Sequence, residues 1–294
     1  MIEVPSPIDQ NGLSDWAELS CIFEEDGTLS RSEILKTLED EQIENAEERT
    51  SDIWLEVDRR SHLLSAKYPI EVRGGRLRNR SPVTVPLEYA FPLLLSTSAW
   101  YRSTTIKKRE WTSTAKLFEE YTTLALGNYL SGKTINIGWP RINGLPSNFK
   151  KIIASVCEQL GEPKGRCDLI KKNSKDEGAD IIAWLPFVDD RPSQIILLVQ
   201  CAAGKDFDEK ISEPSIKLWR NFIDWQVPAQ PAFAFPFMCA NSLKWKRLSG
   251  TNESILFDRL RLVSLCVLND NTSIKDKVSN WVVQQASRLP RISS

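Results

Sequence analysis

The stretch that decides the fold reads GADIIAWLP (178–186), FVDDRPS (187–193), QIILLVQC (194–201). Two apolar runs rich in β-branched residues, separated by a turn of Asp, Arg, Pro and Ser, predict a β-hairpin. The midpoint of 180 and 200 falls at 190, inside the turn. Asp180 and Gln200 are therefore predicted to face each other on one side of the sheet. A carboxylate set among Ile and Ala, opposite an amide and near Lys205, needs a metal, a cation or several hydrogen-bond donors. The plainer alternative makes Asp180 a capped edge residue and QCAAGK (200–205) a strand-to-helix turn.

Outward from the hairpin, Thr112-Ser113 caps a predicted helix with Leu117, Tyr121, Leu124 and Ala125 on one side and Gly127 near its end. A second helix over Ile152–Leu160 stops at Gly161. Helix around 216–225, strand around 232–238 and a last helix around 255–267 complete the pattern. This alternation implies an α/β (α+β) domain, a mixed central sheet flanked by helices. Upstream, residues 1–65 predict a small all-helical module built on Trp16, Leu19, Ile22-Phe23, Ile34, Leu35, Leu38 and Trp54–Leu64. Ser30 or Ser32 starts its second helix, with Glu33 placed for a capping box. EEDGTLSRSE (24–33) lacks the alternating ligands of a calcium loop and reads as a helix–turn–helix connection. Residues 66–112 read as a basic transition, and 113–294 as the main domain.

The net charge of −1 hides a split. Residues 1–58 hold 17 acids and three bases, a net −14, and the remainder holds 35 bases and 22 acids, a net +13. Within that remainder, Arg59–Arg109 carries 11 bases against Glu71 and Glu88, interleaved with Tyr68, Tyr89, Trp100 and Tyr101. Bases beside aromatics suit a phosphate backbone, so Arg73, Arg76, Arg78, Arg80, Lys107, Lys108 and Arg109 are the expected nucleic-acid contacts. The acidic module is expected to dock a protein partner or to lie over the basic strip.

Composition also removes chemistry. The single histidine, His62, sits in a charged helical stretch and reads as a solvated face, so a histidine-based triad or zinc site has little to stand on. Six cysteines without a CxxC pair read as reduced thiols. No apolar run approaches the ~18 residues of a membrane helix. The first residues lack a signal-peptide pattern, so a cytoplasmic protein is expected. GNYLSGKT (127–134) satisfies the P-loop pattern but follows a predicted helix and precedes INIGWPRING, which is no helix. A phosphate-binding loop needs a strand before it and a helix after it.

The order of these parts resembles the PD-(D/E)xK nuclease superfamily, the restriction-endonuclease-like fold, over roughly residues 113–268. A helix glutamate, a strand aspartate and a second strand bearing Gln in QCAAGK carry the likeness, which includes a bacterial subgroup. The resemblance implies an Mg²⁺-dependent (or Mn²⁺-dependent) nuclease acting on DNA, in DNA processing or bacterial defence; a homodimer is kept open among the partners. The resemblance also implies Asp180 as main metal ligand, Gln200 as second-strand ligand, the Cys201 carbonyl completing the site, and Glu119 from the helix, with Glu120 a one-residue alternative. The usual lysine two residues after Gln200 is Ala202 here, and Lys205 is the nearest replacement. Those departures keep open a catalytically degenerate relative, a DNA-binding adaptor.

Overall fold

A computed structural model describes residues 1–292 apart from 7, 25, 142, 143, 172 and 270–272. Its elements run α1 (Gln10–Phe23), β1 (Thr28–Ser30), α2 (Arg31–Asp40), α3 (Ala46–Leu64), β2 (Ile70–Arg73), β3 (Arg76–Asn79), α4 (Leu87–Thr97) and α5 (Lys108–Leu130). They continue as β4 (Lys133–Asn136), α6 (Phe149–Leu160), β5 (Ile181–Leu185), β6 (Ile195–Cys201) and α7 (Ile216–Trp219). The last are β7 (Gln230–Ala234), α8 (Ser242–Thr251), β8 (Ile255–Phe257), α9 (Arg259–Leu265) and α10 (Ser273–Ala286). Among the described residues, no helix is long and apolar enough to cross a membrane.

The chain divides into two compact units. The first gathers Met1–Trp111, Pro236–Met238 and Leu268–Ser294. Its second helix starts as expected: Ser30 Oγ accepts from Glu33 N at 3.2 Å, and Glu33 accepts from Ser30 N at 2.7 Å. The module is not all-helical, however. Thr28–Ser30, in the stretch read as a helix connection, pairs with β3, and β2 joins on the other side in the order β1-β3-β2. Leu29 and Leu77 face the core from that sheet, an anchorage that a three-residue strand scarcely advertises in sequence. The segment read as a transition supplies β2, β3 and α4. Every residue from Tyr89 to Thr97 is buried, so α4 shows no amphipathic stripe, and Pro92 inside it further masks the helix. α10 packs against α4, with Phe91 and Trp281 edge to face at 5.1 Å, so the C-terminal residues belong to this unit.

The second unit, Thr112–Phe235 and Cys239–Val267, holds a five-stranded mixed sheet in the order β4-β5-β6-β7-β8. β4, β5 and β6 are antiparallel, and β7 and β8 add in parallel. The even-numbered residues Ile182, Trp184, Ile196 and Leu198 share a core with α6, Trp219 and Phe222, while Ile181, Ala183, Leu197 and Val199 are buried on the opposite face. α6 buries Phe149, Ile152, Ile153, Val156 and Leu160, the 3–4 spacing of one helical face. Asn148 caps its start, and Gly161 at φ 68° ends it.

Two expected helices are shorter. The one around 216–225 is a single turn, after which Phe222 and Ile223 enter the core and Ile223 bridges to Lys164. The one around 255–267 is β8 followed by α9, divided at Asp258, whose carboxylate accepts from Arg261 N at 3.1 Å and caps the helix.

Candidate active site

The β5–β6 register pairs Ile181 with Val199 and, carried one step further, sets Asp180 opposite Gln200 as the sequence predicts. Asp180 is held on every side. Its N–H donates to Val199 O at 2.8 Å, and its carbonyl accepts from Ile137 N and Gly138 N at 2.8 and 3.0 Å. Its Oδ2 accepts from Cys201 N at 2.8 Å. One carboxylate oxygen is thus pinned, and the other, Oδ1, is left to face a hollow over Gly138.

That hollow is defined by what a side chain at 138 would meet. A Cβ there would lie 2.6 Å from Glu119 Oε2, 2.7 Å from Asp180 Oδ1 and 2.8 Å from Lys116 Nζ. Three charged atoms, two from α5 and one from the approach to β5, therefore converge on a single point. Lys116 and Glu119 stand one turn apart on α5, where i and i+3 side chains share a face, and their ion pair closes at 2.6 Å. Both are buried, which charged residues accept only when paired. Asn136, at the end of β4, has both amide atoms buried without a hydrogen-bond partner, yet lies close enough to favour the ionised form of Glu119.

The electrostatics follow. Burial, reinforced by the charge of Asp180, pushes the Glu119 carboxyl up, against the pull of the Lys116 ammonium and Asn136. Asp180 is also raised, chiefly by burial. The Cys201 N–H opposes that rise, Asp176 adds to it, and Lys116 and Lys210 counter it. The hollow is net negative only when both carboxyls are ionised, and the raised Glu119 carboxyl holds its proton to about 8. Gly138→Ala is expected to destabilise the protein by roughly 1–3 kcal/mol, the usual cost of forcing a methyl into filled space. An unchanged midpoint and slope in urea denaturation would show the hollow to be more open than these distances imply.

The other expected residues divide. Gln200 is buried, but its amide nitrogen donates to Cys201 O at 3.0 Å, which engages the carbonyl expected to complete a metal site. Cys201 instead serves through its N–H, fixing Asp180. Glu120 follows Glu119 on the helix, about 100° around it, and is half-buried. Lys205 is exposed in the turn after β6. The strand stops at Cys201, Ala202 N bonds to Ala234 O, and the ammonium at the hollow is that of Lys116. The signal for Lys116 was its place three residues before Glu119, the helix glutamate expected at the site. Asp176 closes the turn before β5, accepting from Gly178 N at 3.3 Å, and also accepts from Trp139 N at 3.0 Å.

In the first unit, Arg73, Arg76 and Arg78 share the solvated face of the small sheet, because Arg73 pairs with Arg76 and Arg78 with Glu71 and Thr28. Arg80, Lys107, Lys108 and Arg109 are also exposed, Arg109 lying 3.6 Å from Glu110. His62 is on an exposed helix face beside Asp58, as read. GNYLSGKT spans the end of α5 and the start of β4, helix before strand, the reverse of a phosphate-binding loop. A Cβ on Gly132 would strike Trp184 O at 2.2 Å, so close strand packing explains that glycine. The six cysteines are free thiols. Compared with protein-family models, curated proteins and solved structures, the chain matches none of them.

Proposed function

We propose that this chain is a metal-dependent nuclease that hydrolyses DNA phosphodiester bonds, with the restriction-endonuclease-like architecture its sequence resembles. The observation that carries the reading is the convergence of Glu119, Asp180 and Lys116 on one point over Gly138. The order of parts supports it: a glutamate on α5, then the aspartate just before β5, then Gln200 on β6, the neighbouring strand of the mixed sheet. The residues also fit a hard divalent cation. Carboxylate and amide oxygens are the donors that Mg²⁺ and Mn²⁺ prefer, oxygens of Glu119 and Asp180 meet beside Gly138, and the Asn136 amide is buried without a partner. Asp180 and Glu119 would hold the ion, with the Asn136 amide beside Glu119. When bound, such an ion polarises a phosphodiester and helps ionise an attacking water.

The chain's own residues have separate tasks. The Cys201 N–H keeps the Asp180 carboxylate from turning, so Oδ1 stays aimed at the hollow. Glu119 fixes the Lys116 ammonium, which is placed to offset charge growing on the phosphate oxygens. The arginines of β2 and β3, with Lys107, Lys108 and Arg109, offer sequence-independent phosphate contacts. None of this uses a histidine.

A second reading is a degenerate nuclease fold that binds DNA without cutting. It is favoured by the tight Lys116–Glu119 pair, which occupies the hollow, and by the commitment of the Gln200 amide to Cys201 O. Purified protein with Mg²⁺ or Mn²⁺ and single- or double-stranded DNA separates the two. Metal-dependent cleavage that drops on the order of 10³-fold or more in Asp180→Ala, with folding intact, supports the nuclease. Metal-independent binding without cuts supports the adaptor, and cutting by Asp180→Ala at the wild-type rate removes the site assignment.

A further inference from the structure

We propose that Trp139 is a stacking platform for a nucleobase, so that the substrate of the hollow is a nucleic acid presenting an unpaired base next to the reacting phosphate. The proposal rests on the nuclease reading and names its substrate class.

Trp139 follows Gly138 directly, placing its Cα about 3.8 Å from that of the residue flooring the hollow. It keeps 41 % of its surface in solvent, whereas Trp184, Trp219 and Trp225 are buried, and Arg261 lies over the Trp245 ring at 4.6 Å. The exposed ring is held rather than loose. Its backbone N–H is bonded to Asp176, and the Arg141 guanidinium lies 5.3 Å from the ring centroid. That guanidinium is itself anchored, with Nη1 donating to Ser147 O at 2.8 Å and Nη2 to Lys175 O. It lies also 6.0 Å from the Phe149 ring, which belongs to the core. An indole braced by a fixed cation, one residue from the charged hollow, is pre-organised for stacking.

The chemistry of the partner follows. Every nucleobase has a π face, so stacking on tryptophan tolerates any sequence. A base inside a duplex is already stacked on its neighbours, and freeing it gives up that stacking and its pairing. A single strand, a flap or a frayed end supplies that base at least cost. The positive Arg141 beneath the ring also favours the adjoining phosphate.

The test uses the full chain carrying Asp180→Asn, so that bound DNA stays intact, and two fluorescent single strands of equal length. One is an oligothymidylate and the other has the same phosphates with abasic sugars. Tighter binding of the oligothymidylate, by roughly 5- to 100-fold, is expected from stacking. Trp139→Ala should abolish that preference and Trp139→Phe should keep most of it. Equal affinity for the two strands, or a preference that survives Trp139→Ala, overturns the proposal and shows the indole to be only a cover for Arg141. Cleavage is scored separately with Asp180 restored. Asp180-dependent cutting without a Trp139-dependent preference removes the stacking proposal alone, whereas the preference without any cutting removes the nuclease reading alone.

Discussion

Lys116→Met is expected to lower DNA cleavage by a factor on the order of 10²–10³, the usual loss when one preorganised charge partner of a transition state is removed. Lys205→Met is expected to cleave at close to the wild-type rate. Lys116 Nζ lies 2.6 Å from Glu119 Oε2 and shares with Asp180 Oδ1 the point above Gly138, while Lys205 is exposed beyond the end of β6. Methionine matches the length of the lysine stem and removes only the charge. Without it, Glu119 and Asp180 face each other buried and less neutralised, so both carboxyls rise further.

A purely structural lysine would make a different forecast. Loss of the ion pair would then lower stability and cleavage together. A lysine acting on the phosphate leaves metal affinity unchanged or higher, because a competing cation has gone, while turnover falls. Mn²⁺ titration of Lys116→Met beside its cleavage rate distinguishes the two. Unchanged turnover in Lys116→Met, with Lys205→Met impaired, would return the assignment to the sequence-adjacent lysine.

That exchange of lysines marks where sequence was sufficient and where it was not. The hairpin, its register and the Asp180–Gln200 pairing were legible, because period-2 alternation about a polar turn leaves few other registers. The helix bearing Glu119 was legible from its apolar spacing. The Lys116 ammonium beside Gly138 was not, because it comes from α5 and not from the strand that carries Gln200, whose last residue is Cys201. Asn136 and Gly138 were hidden in INIGWPRING, since β4 is a four-residue edge strand whose neighbours lie forty or more positions away. In the first unit α4 was obscured by being buried all round. β1 and β8 have only three residues each, too few to show a period.

The acidic N-terminal segment leads to the other large effect: Arg60→Met is expected to destabilise the first unit by about 3–5 kcal/mol, the cost of leaving buried charges without their partner. Arg60 has no exposed surface. Its Nη1 bonds Asp15 at 2.7 Å and Glu18 at 2.9 Å, and its Nε bonds Glu56 at 2.8 Å. Glu18, equally buried, also accepts from the hydroxyls of Tyr68 at 2.6 Å and Tyr89 at 2.8 Å. One guanidinium thus ties α1 to α3, and one carboxylate ties α1 to Tyr68 and α4. Three of the 17 acids are consumed inside the fold, and a deletion of residues 1–58 would remove β1 and break this network rather than unveil a strip. Against a total stability of typically 5–15 kcal/mol, the loss is large. Hydrogen exchange is the suitable measurement, with protection expected to fall across α1, α3 and α4 and to hold across β5 and β6. Alkali provides an independent check. Burial and the Glu18 charge raise the Tyr68 hydroxyl well above its ordinary 10.0, so the folded state keeps a proton that the unfolded state gives up. Stability from that proton is whole below pH 10 and declines as pH climbs above it, and Tyr68→Phe should flatten the decline. Equal protection of α1 in Arg60→Met and wild type would show the network to be dispensable.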